Sequence, residues 1–71
     1  MRYCFKARNG LFCIVPAQGR YELFFDSTCY GSYSSAVAAA DDVYTKHTGC
    51  NEWDDSQEEG PTDVYEWEKQ Y

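Results

Sequence analysis

The sequence predicts an α+β fold in which a three-stranded antiparallel meander is packed by one α-helix and followed by one or two further short C-terminal elements, in the order β-β-β-α-β. Three observations predict it. Apolar and polar residues alternate from Tyr3 to Phe25 in three runs separated by turn residues. An alanine-rich stretch from Ser34 to Gly49 has helical spacing, and a chain of 71 residues has room for one small core spanning 1–71 and no second domain. Apolar residues form 44% of the chain and aromatics 18%, which supplies enough area per position to build that core.

The first two runs, Tyr3 to Ala7 and Phe12 to Val15, flank Arg8-Asn9-Gly10, and Asn-Gly is the strongest short signal for a two-residue hairpin turn. Pro16-Ala17-Gln18-Gly19 reads as a four-residue loop leading into Tyr21 to Phe25. These loop lengths set Phe5 opposite Ile14, Ile14 opposite Tyr21 and Phe12 opposite Leu23. Both registers then agree that Tyr3, Phe5, Phe12, Ile14, Tyr21, Leu23 and Phe25 share one face, with Lys6, Cys13, Arg20, Glu22 and Phe24 on the other. Cys4 and Cys13 fall together on the second face, where a cross-strand bridge is geometrically conceivable and a reducing compartment keeps the pair as thiols.

A polar connection over 27–32 leads to the helix, which serines cap at its start and Gly49 stops. Val37, Ala40, Val43, Tyr44 and His47 are expected to pack on the aromatic sheet face, and Asp41, Asp42 and Thr45 to face solvent. Beyond it, Asn51-Glu52-Trp53 fits a short strand and residues 54–62 read as an acidic loop. Val64 to Lys69 fits a strand through its alternating Tyr65 and Trp67, while Pro61-Thr62-Asp63 equally fits the start of a short helix; the strand is favoured.

Charge is unevenly placed. Through Ser35 the chain carries Arg2, Lys6, Arg8 and Arg20 against Glu22 and Asp26, a net +2, whereas the remainder carries Lys46 and Lys69 against ten carboxylates, a net -8. No basic residue interrupts the eight carboxylates between Cys50 and Glu68. Such a stretch projects a negative field, which disfavours direct binding of nucleic acid or an anionic membrane. Nothing resembles a signal peptide or a membrane span, so a cytoplasmic protein is expected, and separately a monomer. Its four cysteines, without zinc-ligand spacing, are then expected to be thiols; a disulfide-stabilised secreted module is the weaker option.

The parts of an enzyme are not in view. His47, the only histidine, sits near a predicted helix end, where packing or a dipole partnership is the commoner role, and no phosphate loop or nucleophile elbow is present. Pairing it with Cys50 lacks an orienting third group. Glu52, Asp54, Asp55, Glu58 and Glu59 lack the spacing of a calcium loop, so neither a metal nor another cofactor is expected.

Solvation alone explains an acidic run as readily as binding does. Two features favour binding. Asp41, Asp42, Glu52, Asp54, Asp55, Glu58, Glu59, Glu66 and Glu68 would be spread over a rigid fold, like spaced phosphates, and the aromatics Trp53, Tyr65, Trp67 and Tyr71 are interleaved with them as interface anchors are. Those carboxylates together with Trp67 form the expected partner-binding set.

In this format, a small α+β chain with carboxylates concentrated in Asp41, Asp42 and Glu52 to Glu68, the protein resembles the small acidic phage-encoded inhibitors of the anti-CRISPR and DNA-mimic type. The resemblance implies a non-enzymatic inhibitor whose acidic face enters a Lys/Arg-lined channel or PAM-reading cleft of a CRISPR effector complex, or of another basic nucleic-acid-binding protein, and excludes DNA. The basic N-terminal half departs from a uniformly acidic mimic. The competing expectation is a small phage structural or adaptor protein that binds through its aromatic surface, at Trp67 and Tyr71, and is acidic only for solubility.

Overall fold

The computed structural model describes residues 1–70. Five strands form one antiparallel sheet: β1 (Arg2–Lys6), β2 (Leu11–Ala17), β3 (Arg20–Phe25), β4 (Thr28–Tyr33) and β5 (Glu68–Gln70), in the order β4-β3-β2-β1-β5. Between β4 and β5 the chain forms α1 (Ala36–Tyr44), the single-turn α2 (Asn51–Asp54) and a 3-10 turn (Val64–Glu66). The α+β class is as expected, but the sheet has two strands more than the meander, one at each edge.

Both sheet faces are composed as the alternation predicts. Phe12, Ile14, Leu23 and Phe25 are buried, and Tyr3, Phe5 and Tyr21 pack against the same cluster. The pairing differs, however: Phe5 lies opposite Phe12, Ile14 opposite Leu23 and Phe12 opposite Phe25. Each register is displaced by two residues, which leaves every side chain on its predicted face. The cause is an exchange of turn types. The two-residue turn is Gln18-Gly19, with φ of 53° and 80°, while residues 7–10 make the longer loop, closed by Ala7 N–H donating to the Gly10 carbonyl at 2.9 Å. Gly10 serves close approach instead: a Cβ there would lie 2.6 Å from the Phe25 ring and 2.8 Å from the Asp26 carboxylate, which itself accepts Leu11 N–H. Pro16 lies within β2, opposite Tyr21, and starts no turn.

The fourth strand occupies the stretch read as a polar connection. Cys29 pairs with Phe24 and Gly31 with Leu23, so Tyr30 is an extra residue, a bulge that turns its ring toward the core and breaks the alternation.

Helix α1 starts at Ser35, whose hydroxyl accepts Ala38 N–H at 3.1 Å, and stops sooner than Gly49. Lys46 N–H donates to the Val43 carbonyl and His47 N–H to the Asp42 carbonyl, a Schellman termination with Lys46 in the left-handed position at φ 64°. The stripe that packs on the sheet is Ala36, Ala39, Ala40 and Val43, which shares only Ala40 and Val43 with the expected one. Val37 and Tyr44 are therefore exposed rather than packed on the sheet, and His47 is exposed beyond the helix end.

Asn51-Glu52-Trp53 belongs to α2 and not to a strand, and the acidic loop begins one residue later than expected because Asp54 closes that helix. Residues 64–69 divide between the two alternatives, a 3-10 turn capped by Asp63 followed by the short β5. This division sends Trp67 inward. At 3% exposure it packs 5.6 Å from Phe5, ring centroid to centroid, and Trp53, 2% exposed, meets Phe12 edge-on at 5.3 Å. Placing Trp67 among surface anchors is thus corrected: the turn before β5 points its indole into the aromatic core. Tyr71 lies outside the described residues.

Candidate functional site: a carboxylate-bearing layer over the sheet

Cross-strand partners share a face, so the residues opposite the core side are Arg2, Cys4 and Lys6 on β1, Leu11, Cys13 and Val15 on β2, and Arg20, Glu22 and Phe24 on β3. The opposite side is covered from residue 36 to Trp67: α1 packs on β2, β3 and β4, and Trp53 and Trp67 pack on Phe5 and Phe12. The charge asymmetry of the sequence thereby becomes two-sided. Three of the four N-terminal basic residues lie on the open sheet face, and the carboxylates of residues 41–66 belong to the layer on the other side.

Internal bonds fix that layer. The Lys46 ammonium sits 3.8 Å from the centre of the Trp53 ring and donates to the Trp53 carbonyl at 3.2 Å, the Ser56 carbonyl at 3.1 Å and the Ser56 hydroxyl at 2.8 Å. Trp53 Nε1 donates to the Val43 carbonyl at 2.7 Å, tying α2 to α1. The acidic loop crosses the same indole: a Cβ at Gly60 would lie 3.1 Å from it. Arg8 N–H donates to Glu58 at 3.1 Å and Thr62 N–H to Glu66 at 3.2 Å, which pins the loop at its middle and at its C-terminal end.

The ten predicted site residues therefore separate into groups. Asp54 accepts from Thr48 N–H, the Thr48 hydroxyl and Gly49 N–H at 3.2, 2.8 and 2.9 Å, so its carboxylate closes the 48–54 turn. Asp42 is half-buried and accepts from the Tyr33 hydroxyl at 2.9 Å; burial first, then this bond and the Asp42 charge, push the Tyr33 hydroxyl up to about 12. Glu58 and Glu66 hold backbone N–H groups, as above. Asp41, Glu52, Asp55 and Glu59 are exposed on the layer, whereas Glu68, paired with Cys4, belongs to the open sheet face and apart from them. Trp67 is in the core.

Sequence reading passed over two surface features. Tyr65, expected among the interface aromatics, is 72% exposed; the first feature passed over is Val37 with Tyr44, exposed on α1 beside Asp41. A groove of about 140 Å³ between α1 and the 3-10 turn is lined by Val37, Ala40, Asp41, Thr62, Asp63 and Val64. Reading the helix through to Gly49 hid Val37 and Tyr44, because that helix used both for packing. His47 is exposed, with Nδ1 3.0 Å from the Thr45 hydroxyl. Among the described residues, no three His, Cys, Asp or Glu side chains are grouped to hold a metal ion, and no helix is long and apolar enough to cross a membrane. Compared with known proteins, the chain matches no family model, and no curated protein or solved structure matches it significantly.

Proposed function

We propose that this protein is a non-enzymatic inhibitor that binds a basic nucleic-acid-binding protein, with a CRISPR effector complex as the leading candidate, and blocks its access to DNA through the carboxylate-bearing layer. The observation that carries the reading is the two-sided charge distribution: exposed Asp41, Glu52, Asp55 and Glu59 stand on a layer pinned by Lys46, Trp53 and Gly60, while Arg2, Lys6 and Arg20 occupy the far face. Fixed, separated carboxylates suit a cleft that normally holds phosphates, and their field speeds encounter with a positive surface. The groove beside Asp41 and Asp63 adds an apolar lining from Val37, Ala40 and Val64 that suits the aliphatic stem of a lysine or arginine.

The test is competition between this protein and a labelled target duplex for CRISPR effector ribonucleoproteins of each type, at several salt concentrations. Inhibition should weaken as salt rises. It should also be lost when Asp41, Glu52, Asp55 and Glu59 are reversed to Lys, and survive reversal of Arg2, Lys6 and Arg20 to Glu. Binding indifferent both to salt and to the four carboxylate reversals would overturn the reading. In that case the aromatic adaptor reading remains, now with Tyr65 and Tyr44 as its exposed rings in place of Trp67.

A further inference from the structure

The sheet face away from the helical layer holds a pair of sulfurs that the binding surface does not use. Cys4 on β1 and Cys13 on β2 are register partners, 3% and 8% exposed, with Sγ atoms 2.8 Å apart. Glu68 stands opposite Cys4 on one side and Phe24 opposite Cys13 on the other. All four cysteines are free thiols, but only this pair is preassembled.

Backbone geometry brings the two side chains together. Ala7 N–H donates to the Gly10 carbonyl, so that pair is hydrogen-bonded. Alternation along the antiparallel ladder then makes Phe5 with Phe12 hydrogen-bonded and Cys4 with Cys13 the intervening narrow pair. Cα atoms of narrow pairs are typically ~4.5 Å apart, inside the ~4.4–6.8 Å span of disulfides and at its short end. A bond at that end of the span is one that a reductant reopens readily.

We propose that Cys4 and Cys13 are a redox-active dithiol that closes to a cross-strand disulfide under a mild disulfide oxidant and reopens under thiol, with the fold intact throughout. One cysteine thiolate attacks a small-molecule disulfide RSSR, forming a mixed disulfide and releasing RS⁻. The second thiolate then attacks the protein sulfur of that bond and releases a second RS⁻. Two thiols are oxidised, one RSSR is reduced to two RSH, and the two protons pass to the leaving thiolates. Burial, the hydrogen bond to Cys4 and the Cys4 charge together push the Cys13 thiol up to about 12, with Arg2 opposing. Closure is therefore slow at neutral pH and accelerates as pH rises.

The ring so formed encloses residues 4–13, including the loop whose Arg8 N–H holds Glu58. Oxidation of the uncovered face thus stiffens the support of the acidic loop. The pair itself does not depend on the partner reading.

The folded protein, with Cys29→Ser to remove the exposed thiol, is incubated with oxidised glutathione, blocked with iodoacetamide under unfolding conditions and digested with trypsin without reductant. Closure is expected to join the peptides spanning residues 3–6 and 9–20, with loss of two hydrogens, and dithiothreitol should release them. The oxidised protein should remain monomeric, keep its circular dichroism and melt at a higher temperature than the reduced form. Recovery of Cys4 and Cys13 as alkylated thiols, a stable glutathione adduct on either, or linkage to the 47–69 peptide that carries Cys50, would overturn the proposal.

Discussion

The ammonium of Lys46 lies 3.8 Å above the centre of the Trp53 indole while the backbone of the same lysine holds a left-handed conformation at the end of α1. Two effects oppose each other at this residue. A lysine at φ 64° costs roughly 1 kcal/mol relative to glycine, while the three charge-assisted hydrogen bonds and the ring contact more than offset it. Lys46→Met, which keeps the stem and removes the charge, is expected to lower stability by about 2 kcal/mol. Lys46→Gly relieves the backbone and should still destabilise. Urea denaturation of both variants checks this; a more stable Lys46→Gly protein would show that the backbone term wins.

Asp54 and Asp55 are neighbours with different tasks. Asp54→Ala strands Thr48 N–H and Gly49 N–H and is expected to cost about 1–3 kcal/mol, whereas exposed Asp55→Ala should stay within about 0.5 kcal/mol of wild type. Comparing thermal melts of the two separates the carboxylates that hold the layer from those available to a partner.

Removing Trp67 should abolish folding before it tests any binding. Trp→Ala at a buried site costs about 3–5 kcal/mol, a large part of the stability of a domain this small. Near-ultraviolet circular dichroism of Trp67→Ala should be lost, while Tyr65→Ala, on a ring 72% exposed, should keep the native spectrum.

The two-residue turn between β2 and β3 is occupied by a residue with little liking for positive φ. Gln18→Asn is expected to raise stability by a few tenths to about 1 kcal/mol, measured by denaturant midpoint, because Asn-Gly suits this turn type. Gly10→Ala should be destabilising even though Gly10 has no positive φ, since the added methyl meets Phe25 and Asp26.

Alkaline pH should unfold the protein by a defined route. Tyr33 is raised from 10.0 to about 12 and Cys13 from 9.0 to about 12, so both bind a proton more tightly in the folded state. Their contribution is fully present below the unfolded values and is lost as pH rises from about 9 toward 12, where the unfolded chain has released protons that the folded one retains. Tyr33→Phe should flatten the upper part of this fall in a pH series of denaturation midpoints. An unchanged slope would show that Tyr33 does not carry it.

Much of the fold was legible because side-chain alternation survives an error of two residues. Phe12, Ile14, Leu23 and Phe25 were assigned to the core face from a register in which each partner was wrong. The turn types were not legible, because Gly10 is needed by Phe25 and Asp26, which are remote in sequence, and that need displaces the usual Asn-Gly conformation. The fourth strand was concealed by the Tyr30 bulge, and the end of α1 by Lys46, whose left-handed backbone is sustained by Trp53 and Ser56. For the candidate site, the charge asymmetry was readable and its two-sidedness was not. Only the packing of residues 36–67 on one face of the sheet converts a difference along the chain into a difference across the molecule.

The partnership of Arg2 with Gln70, backbone to backbone in the β1–β5 ladder and through Arg2 Nε donating to Gln70 Oε1 at 3.0 Å, has a consequence for the order of assembly. Until Glu68–Gln70 dock, β1 is a bare edge able to pair with any passing strand. Covering that edge waits for a contact that spans 68 residues, the slowest kind of contact for a short chain to make. The three residues of β5 thus replace the five-residue edge of β1 with a shorter one.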